Sequence, residues 1–303
     1  MKKLLNTLYV TTQGTYLTKD GECIVVRMGD EVRFKVPVHS LGGVVCFGQV
    51  SCSPFLMGFA AECGLGFSFF TEHGRFLARV QGPVSGNVLL RREQYRRADS
   101  PKTSTEVARS IISAKVVNAR GVLQRALRDH GDKIDRAALK AEIVHLRDCL
   151  IRLQQYEDLD VVSGVEGEAG KGYCSVFDNL ILTNQAAFHF TRRSRRPPLD
   201  RVNCLLSFIY TLLGHDVRSA LEGVGLDSAV GFLHRDRPGR HGLALDIMEE
   251  FRAVIADRLA LSLINLGKLK QNDFEIQETG AVRMTDEARK TLLIASHKSK
   301  QDE

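Results

Sequence analysis

The stretch RREQYRR at residues 91–97, ended by DSP at residues 99–101, separates two patterns of apolar residues. Before it, short runs rich in Val, Ile and Phe lie between glycines, which is typical of β-strands. After it, apolar residues recur every three or four positions, which is typical of helices. We therefore predict an α+β fold, with a small β-rich, β-sandwich-like N-terminal domain and a larger all-α C-terminal domain. The predicted boundaries are residues 1–90 for the β-rich domain, 91–104 for a charged linker and 105–303 for the helical domain.

The clearest β signal is a hairpin. Residues 21–28 and 31–38 are rich in Val, Ile and Phe, and Gly29-Asp30 between them suits a tight turn. The other elements predicted for this domain are strands at residues 43–48, 66–70 and 75–80 and a short helix at residues 54–63.

The clearest helical signal lies at residues 105–129, where Val107, Ile111, Ile112 and Val116 fall on one helix face. Further helices are predicted at residues 136–156, 200–213 and 245–266.

Composition bounds the class of protein. The chain of 303 residues has a net charge of +6 and a pI of about 9.0, which mildly favours a polyanionic partner. Its seven cysteines form no C-x-x-C pair, which indicates free thiols in a reducing cytoplasm. No apolar run approaches the roughly 20 residues of a transmembrane helix, so we predict a cytoplasmic protein without membrane contact.

Three short segments carry candidate metal ligands. They are GVEGE at residues 164–168, GFLH at residues 231–234 and LDIMEE at residues 245–250. One histidine with two or three carboxylates is a ligand set for Mn²⁺ or Mg²⁺. In a basic chain, this set indicates phosphodiester chemistry on nucleic acid.

Each candidate also has an ordinary structural interpretation. Asp246 and Glu249 are three residues apart, which places both on one face of a predicted helix, but such acids commonly face solvent. His234 follows an apolar run, where histidines are usually structural. We interpret the glycine-rich segment around Glu166 as a loop, in which Glu168 is a rival ligand.

The order of the motifs identifies a family. Glu166-Gly167 followed by Ala169 and Tyr173, then Arg196-Pro197-Pro198 followed by Asp200 and Asn203, then GFLH and LDIMEEFR, occur in this order. This series resembles the CRISPR-associated endonuclease/integrase family of the spacer-acquisition (adaptation) module, in a type I-C-like subtype. Departures from the family pattern at Gly170, Cys174 and Cys204 concern packing positions.

The resemblance implies a function and an assembly. It implies that Glu166, His234 and Glu249 bind Mn²⁺ or Mg²⁺, with Asp246 as an additional catalytic acid. It implies a homodimer formed through the β-rich domains, and a heterohexamer in which two such dimers flank a dimer of a small ferredoxin-like adaptation partner protein. The assembly would bind double-stranded DNA and insert short foreign fragments into a repeat array by transesterification, as part of antiviral defence.

Basic residues near these motifs are candidates for contacts to DNA phosphates. They are Arg192, Arg193, Arg195, Arg196, Arg235 and Arg237. A solvated charged surface explains any one of these arginines equally well. Two alternative functions also stay open: a non-catalytic DNA-binding scaffold, and a general metal-dependent nuclease for branched or repair DNA.

Overall fold

The computed structural model describes residues 6–82 and 87–302, and side chains through residue 299. Residues 1–5 and 83–86 of the predicted β-rich domain, and residue 303 of the predicted helical domain, lie outside the described residues. The chain divides into two compact units. One consists of Met1–Ser85 with Arg289–Glu303, and the other of Gly86–Ala288. Residues 289–303, which we predict to belong to the helical domain, therefore group with the first unit.

The first unit contains two four-stranded sheets. One has the order β1 (Asn6–Val10), β5 (Leu41–Phe47), β7 (Gly66–Phe70), β8 (Phe76–Val80), and the other has the order β4 (Glu31–Pro37), β3 (Cys23–Met28), β2 (Thr15–Asp20), β6 (Ser51–Cys52). Strand β5 is parallel to both of its neighbours, and its residues Val44 to Phe47 are buried, as expected for a central parallel strand. The predicted β3–β4 hairpin is confirmed, with Gly29 in the left-handed conformation (φ 57°).

Both sheets contribute to one hydrophobic core, together with helix α1 (Pro54–Glu62). Val44 and Phe67 come from the first sheet, Leu17 and Ile24 from the second, and Leu56 from α1. The N-terminus of α1 is capped by Ser53, whose side chain accepts a hydrogen bond from the Leu56 N–H at 3.2 Å. The predicted β-rich N-terminal architecture is thus confirmed.

The second unit is mainly helical, as predicted. Its helices are α2 (Val88–Asp99), α3 (Pro101–His130), α4 (Arg136–Gln155), α5 (Leu159–Val176), α6 (Arg201–Gly223), α7 (Gly242–Phe251) and α8 (Arg258–Asn265). Helix α3 packs against α4, α5 and α7, and its buried stripe includes the predicted positions Ile111, Ile112 and Val116. Residues 91–104, which we predict as a linker, instead lie in α2 and the first turn of α3, with Ser100 between them as the cap of α3.

Two features of this unit differ from the sequence-based prediction. The predicted helix at residues 245–266 contains a π-helical turn, Arg252–Asp257, between α7 and α8. The domain is also not all-α, because β9 (Phe274–Ile276) and β10 (Val282–Met284) form an antiparallel hairpin. Val282 and Met284 are buried while Arg283 is exposed, so this short segment has the two-residue period of a strand.

The last helix is α9 (Asp286–Asp302), and its residues from Arg289 onward group with the first unit. Within the described part of the chain, no helix combines the length and the apolar character needed to cross a bilayer.

Candidate active site

Glu166 lies on a helix and not on the loop that we predict from its glycines. Asp158 caps α5 by accepting hydrogen bonds from the N–H groups of Asp160 (2.8 Å) and Val161 (3.1 Å). The apolar residues of α5 recur every three or four positions and are buried: Val162, Val165, Ala169, Tyr173 and Val176. Packing of this stripe outweighs the low helix propensity of the glycines. The cap and the stripe are the sequence signals that would have identified the helix.

Glu166 and Glu249 come together around one lysine. The Lys115 ammonium on α3 forms ion pairs with Glu166 on α5 and with Glu249 on α7, where the Nζ–Oε2 distance is 2.7 Å. Burial acts to lower the pKa of Lys115, but the charges of Glu249 and Glu166 together outweigh burial and raise it above its ordinary value. Lys115 therefore stays charged and neutralises one of the two facing carboxylates.

A second cation contacts Glu249. The guanidinium of Arg252, in the π-helical turn, lies 2.9 Å from Glu249 Oε1. The Glu249 side chain is only 3% exposed, so its charge depends on these two partners. Its Oε2 atom is buried and, among the described residues, has the ion pair with Lys115 but no hydrogen bond of good geometry.

Asp246 holds the segment that carries His234. Its carboxylate accepts hydrogen bonds from the backbone N–H groups of Phe232 (2.6 Å), Leu233 (3.0 Å) and His234 (2.9 Å). Its Oδ1 atom also lies 2.7 Å from Nδ1 of the His234 imidazole. Asp246 is fully buried and does not face solvent, as acids on a helix commonly do. The contact fixes the imidazole and leaves Nε2 available as a ligand atom.

Two glycines allow this segment to approach α7 closely. A Cβ atom on Gly231 would lie 2.6 Å from the carbonyl carbon of Gly242 and 2.8 Å from Asp246 Oδ2. A Cβ atom on Gly242 would lie 2.7 Å from the carbonyl oxygen of His234. Glycine is therefore required at both positions for the backbone contact that places His234 beside α7. The sequence patterns predict no role for Gly242, Lys115 or Arg252.

The structure thus forms two linked pairs from the predicted residues. Glu166 and Glu249 share Lys115, and His234 pairs with Asp246, which is three residues before Glu249 on α7. Glu168 belongs to neither pair. At 100° per residue it projects from another face of α5, where it contacts His145 and Arg152. Among the described residues, one group of three His, Cys, Asp or Glu side chains has its ligand atoms within 4.8 Å of one another. It consists of His145, Cys149 and Glu168.

The predicted arginine cluster is only partly exposed. Arg192, Arg195, Arg196 and Arg237 are exposed, as is Arg235, which pairs with Asp160 at 2.5 Å. Arg193, which is also a candidate for phosphate contacts, is instead partly buried. Its guanidinium donates hydrogen bonds to Asn203 Oδ1 (2.6 Å) and Ser207 Oγ (3.0 Å).

A polar network extends from Glu249 through Arg252 to a buried carboxylate. Arg252 lies over the ring of Tyr210, with 5.0 Å between its guanidinium carbon and the ring centroid. The Tyr210 hydroxyl donates a 2.6 Å hydrogen bond to Asp257, at the other end of the π-helical turn. Burial raises the pKa of Asp257 from 3.8 to about 6, although Tyr210 and Arg252 favour the charged form. The Tyr210 ring therefore helps to orient the Arg252 guanidinium, and buried Asp257 in turn holds Tyr210.

Comparison with known proteins gives one consistent family. The sequence model described as "CRISPR associated protein Cas1" matches residues 8–298. The chain is 57% identical over 303 residues to "CRISPR-associated endonuclease Cas1 1" of Chlorobaculum tepidum, covering 100% of this chain and 88% of that protein. It is 52% identical over 311 residues to "CRISPR-associated endonuclease Cas1 2" of Rhodospirillum rubrum, with the same coverage of 100% and 88%.

Solved structures share the fold. A CAS1 protein from Thermotoga maritima matches with a TM-score of 0.83 at 22% identity, covering 98% of this chain and 91% of that chain. A chain of a "Cas6-RT-Cas1--Cas2 complex" matches with a TM-score of 0.79 at 25% identity, covering 97% of this chain and 32% of that chain.

Substitution of Lys115 tests the charge pairing. Because Lys115→Met leaves the Glu166 and Glu249 carboxylates facing each other, we expect a loss of about 3 kcal/mol in the free energy of unfolding at pH 7. Urea denaturation measures it. Lys102→Met, an exposed position on the same helix, is the matched control and should change little. Equal stability of the two variants would contradict the pairing.

The glycine contact gives a second prediction. Gly231→Ala inserts a methyl group against backbone atoms and should lower the unfolding free energy by about 1–3 kcal/mol. Gly164→Ala, on α5 with no atom within 4 Å of the added Cβ, should instead be neutral or raise it by up to about 1 kcal/mol. Similar effects of the two substitutions, measured by urea denaturation, would show that the close approach is absent.

Asp257 predicts a pH dependence. Since its pKa is raised in the folded state, the folded protein binds the Asp257 proton more tightly than the unfolded chain, and stability is lost as pH rises from about 4 to about 6. Asp257→Asn removes this loss. Relative to the unsubstituted protein, the variant should gain on the order of 3 kcal/mol between pH 4 and pH 7. If the difference in unfolding free energy between Asp257→Asn and the unsubstituted protein does not vary with pH, the pKa of Asp257 is not raised.

Proposed function

Because this chain belongs to the Cas1 family of CRISPR-associated proteins, we propose that Glu166, His234 and Glu249 bind the divalent cation of its active site. The activity is that of the Cas1 endonuclease and integrase of the CRISPR adaptation module, whose chemistry breaks and joins DNA phosphodiester bonds. The observation that carries the proposal is that α5 and α7 direct two carboxylates at one shared positive charge, that of Lys115.

The residues fit a divalent cation in three respects. Glu166 and Glu249 supply oxygen ligands, and buried Oε2 of Glu249 has an ion pair but no hydrogen bond among the described residues. His234 has its Nδ1 atom held by Asp246, which is the outer contact that metal-binding imidazoles commonly have. Two carboxylates with one imidazole suit Mn²⁺ or Mg²⁺, and we propose either ion as the cofactor.

Each residue then has a defined part in the reaction. When bound, the cation supplies positive charge that stabilises the transition state at phosphorus. Asp246 is a positioning residue, because it orients His234 through the imidazole and the backbone. Arg252 contacts Oε1 of Glu249 while Lys115 contacts Oε2, and together they keep the carboxylate in one orientation.

In strand transfer, the 3′-hydroxyl oxygen of the incoming DNA forms a bond to a phosphorus atom of the repeat strand. The bond from that phosphorus to the 3′ oxygen of the repeat strand breaks, and this oxygen leaves as a hydroxyl with the proton that the attacking hydroxyl loses. Hydrolysis is the same displacement with water as the nucleophile. The exposed arginines Arg192, Arg195, Arg196 and Arg237 are proposed to contact the DNA phosphates. Arg235 contributes only if DNA replaces its pair with Asp160.

The assembly completes the proposal. We propose a homodimer through the β-rich unit, and a complex with a small ferredoxin-like partner and double-stranded DNA. A similar chain occurs in the solved "Cas6-RT-Cas1--Cas2 complex", which supports a partner of this kind. A cytoplasmic location and a type I-C-like subtype are also part of the proposal, and a neighbouring repeat array with its adaptation genes would test the subtype.

Three substitutions test the proposed ligands. Glu166→Gln, His234→Gln and Glu249→Gln should each lower DNA strand transfer in Mn²⁺ or Mg²⁺ by about 10²-fold or more, because each removes a ligand for the charge that stabilises the transition state. The assay follows insertion of a duplex with free 3′-hydroxyls into a plasmid that carries a repeat. Glu250→Gln, next to Glu249 on α7, is the matched control and should keep full activity.

The outcomes separate the alternatives. Full activity in all three variants would exclude the proposed site. A protein that binds DNA but shows no metal-dependent activity would be a scaffold. Cleavage of branched DNA without insertion into the repeat plasmid would indicate a general nuclease.

A further inference from the structure

A second set of metal-binding side chains lies between α4 and α5, on a different face of α5 from Glu166. His145 and Cys149 are one helical turn apart on α4, and Glu168 faces them from α5. The His145 Nε2 atom lies 3.6 Å from Cys149 Sγ and 2.9 Å from Glu168 Oε1. Three different types of ligand atom from two helices therefore point at one place.

The outer contacts of this set resemble those of protein metal sites. The other ring nitrogen of His145, Nδ1, lies 3.0 Å from Glu142 Oε1, and Glu142 is buried. A carboxylate on the second nitrogen fixes the ring and directs the lone pair of the first nitrogen. Arg152 contacts both oxygens of Glu168, at 3.0 and 2.9 Å, and so orients the carboxylate.

Close packing of α4 against α5 also keeps these side chains in place. A Cβ atom on Gly172 of α5 would lie 2.3 Å from Glu142 Oε1, so the glycine leaves the space that the Glu142 carboxylate occupies. Glu142 therefore reaches both α5 and the His145 ring from within the helix contact. The set is held by packing as well as by hydrogen bonds.

The distances suit zinc. Tetrahedral Zn²⁺ with bonds of about 2.3 Å to sulfur and about 2.0 Å to nitrogen places those two atoms about 3.5 Å apart, close to the observed 3.6 Å. Nitrogen and oxygen ligands of tetrahedral Zn²⁺ are about 3.3 Å apart, so the 2.9 Å distance between His145 Nε2 and Glu168 Oε1 must increase by about 0.4 Å. The half-exposed Glu168 side chain has room for this movement. A thiolate and an imidazole select zinc over Mn²⁺ or Mg²⁺.

We propose that His145, Cys149 and Glu168 form a zinc site that ties α4 to α5. Water completes the coordination, since the His145 side chain is one-third exposed. Zinc displaces the Cys149 proton and the proton that His145 Nε2 shares with Glu168, so that binding strengthens as pH rises. Zinc bound there holds in place the helix that carries Glu166, two residues before Glu168.

Cobalt provides a direct test, because a thiolate bound to Co²⁺ gives a sulfur-to-metal charge-transfer absorption that no other ligand here produces. The full chain is reduced, stripped with a chelator and titrated with Co²⁺ at slightly alkaline pH. We expect the absorption to appear at one equivalent and to disappear when Zn²⁺ is added. Cys149→Ser should abolish it, whereas Cys63→Ser, which removes an exposed cysteine, should not.

Two further variants define the site. Glu142→Gln should weaken Zn²⁺ binding by about 10-fold or more through loss of the outer contact to His145. Glu166→Gln, at the proposed catalytic site, should leave the cobalt absorption intact, which separates this proposal from the proposed function. No charge-transfer absorption in the unsubstituted protein would overturn the proposal, as would an absorption that persists in Cys149→Ser. If Cys149→Ser does not fold, His145→Gln takes its place, and an unchanged Zn²⁺ affinity in that variant would overturn the proposal equally.

Discussion

Two glutamates from different helices face each other in this protein because a lysine ammonium lies between them. Removal of carboxylates from water is unfavourable unless an opposite charge compensates. Lys115 supplies that charge to Glu166 and Glu249, and Arg252 supplies a second one to Glu249. This pairing therefore holds α3, α5 and α7 together in addition to their apolar contacts. The same arrangement gathers negative charge at the place where we propose that a divalent cation binds.

His234 is positioned by a different set of contacts. Asp246 satisfies three successive backbone N–H groups and one ring nitrogen, so a single buried carboxylate determines both the path of the segment and the direction of the imidazole. Glycines at positions 231 and 242 let the backbone come close enough for these bonds. Asp246 and Glu249 lie three residues apart on α7, which couples the histidine to the carboxylate pair.

Sequence patterns predicted the features that depend on local periodicity. The β3–β4 hairpin, the buried face of α3 and the division into β-rich and helical parts all follow from residues close together in the chain. Helix α5 is not predicted because its glycines suggest a loop, whereas its Asp158 cap and the packing of its buried stripe stabilise a helix. Lys115 is not predicted because its partners Glu166 and Glu249 are distant in sequence. Arg252 is not predicted because it lies in a π-helical turn and stacks on Tyr210, which is also distant in sequence. Glu168 appeared equivalent to Glu166 until the helix placed the two on different faces.

The central claim is that Glu166, His234 and Glu249 bind one divalent cation. Diffraction from crystals grown with Mn²⁺, recorded where manganese scatters anomalously, locates the ion directly. We predict one strong anomalous peak within coordination distance of Glu166, His234 Nε2 and Glu249, with the Lys115 ammonium moved away from between the two carboxylates. Lys115 still bridging both glutamates, with manganese absent or bound elsewhere, would contradict it.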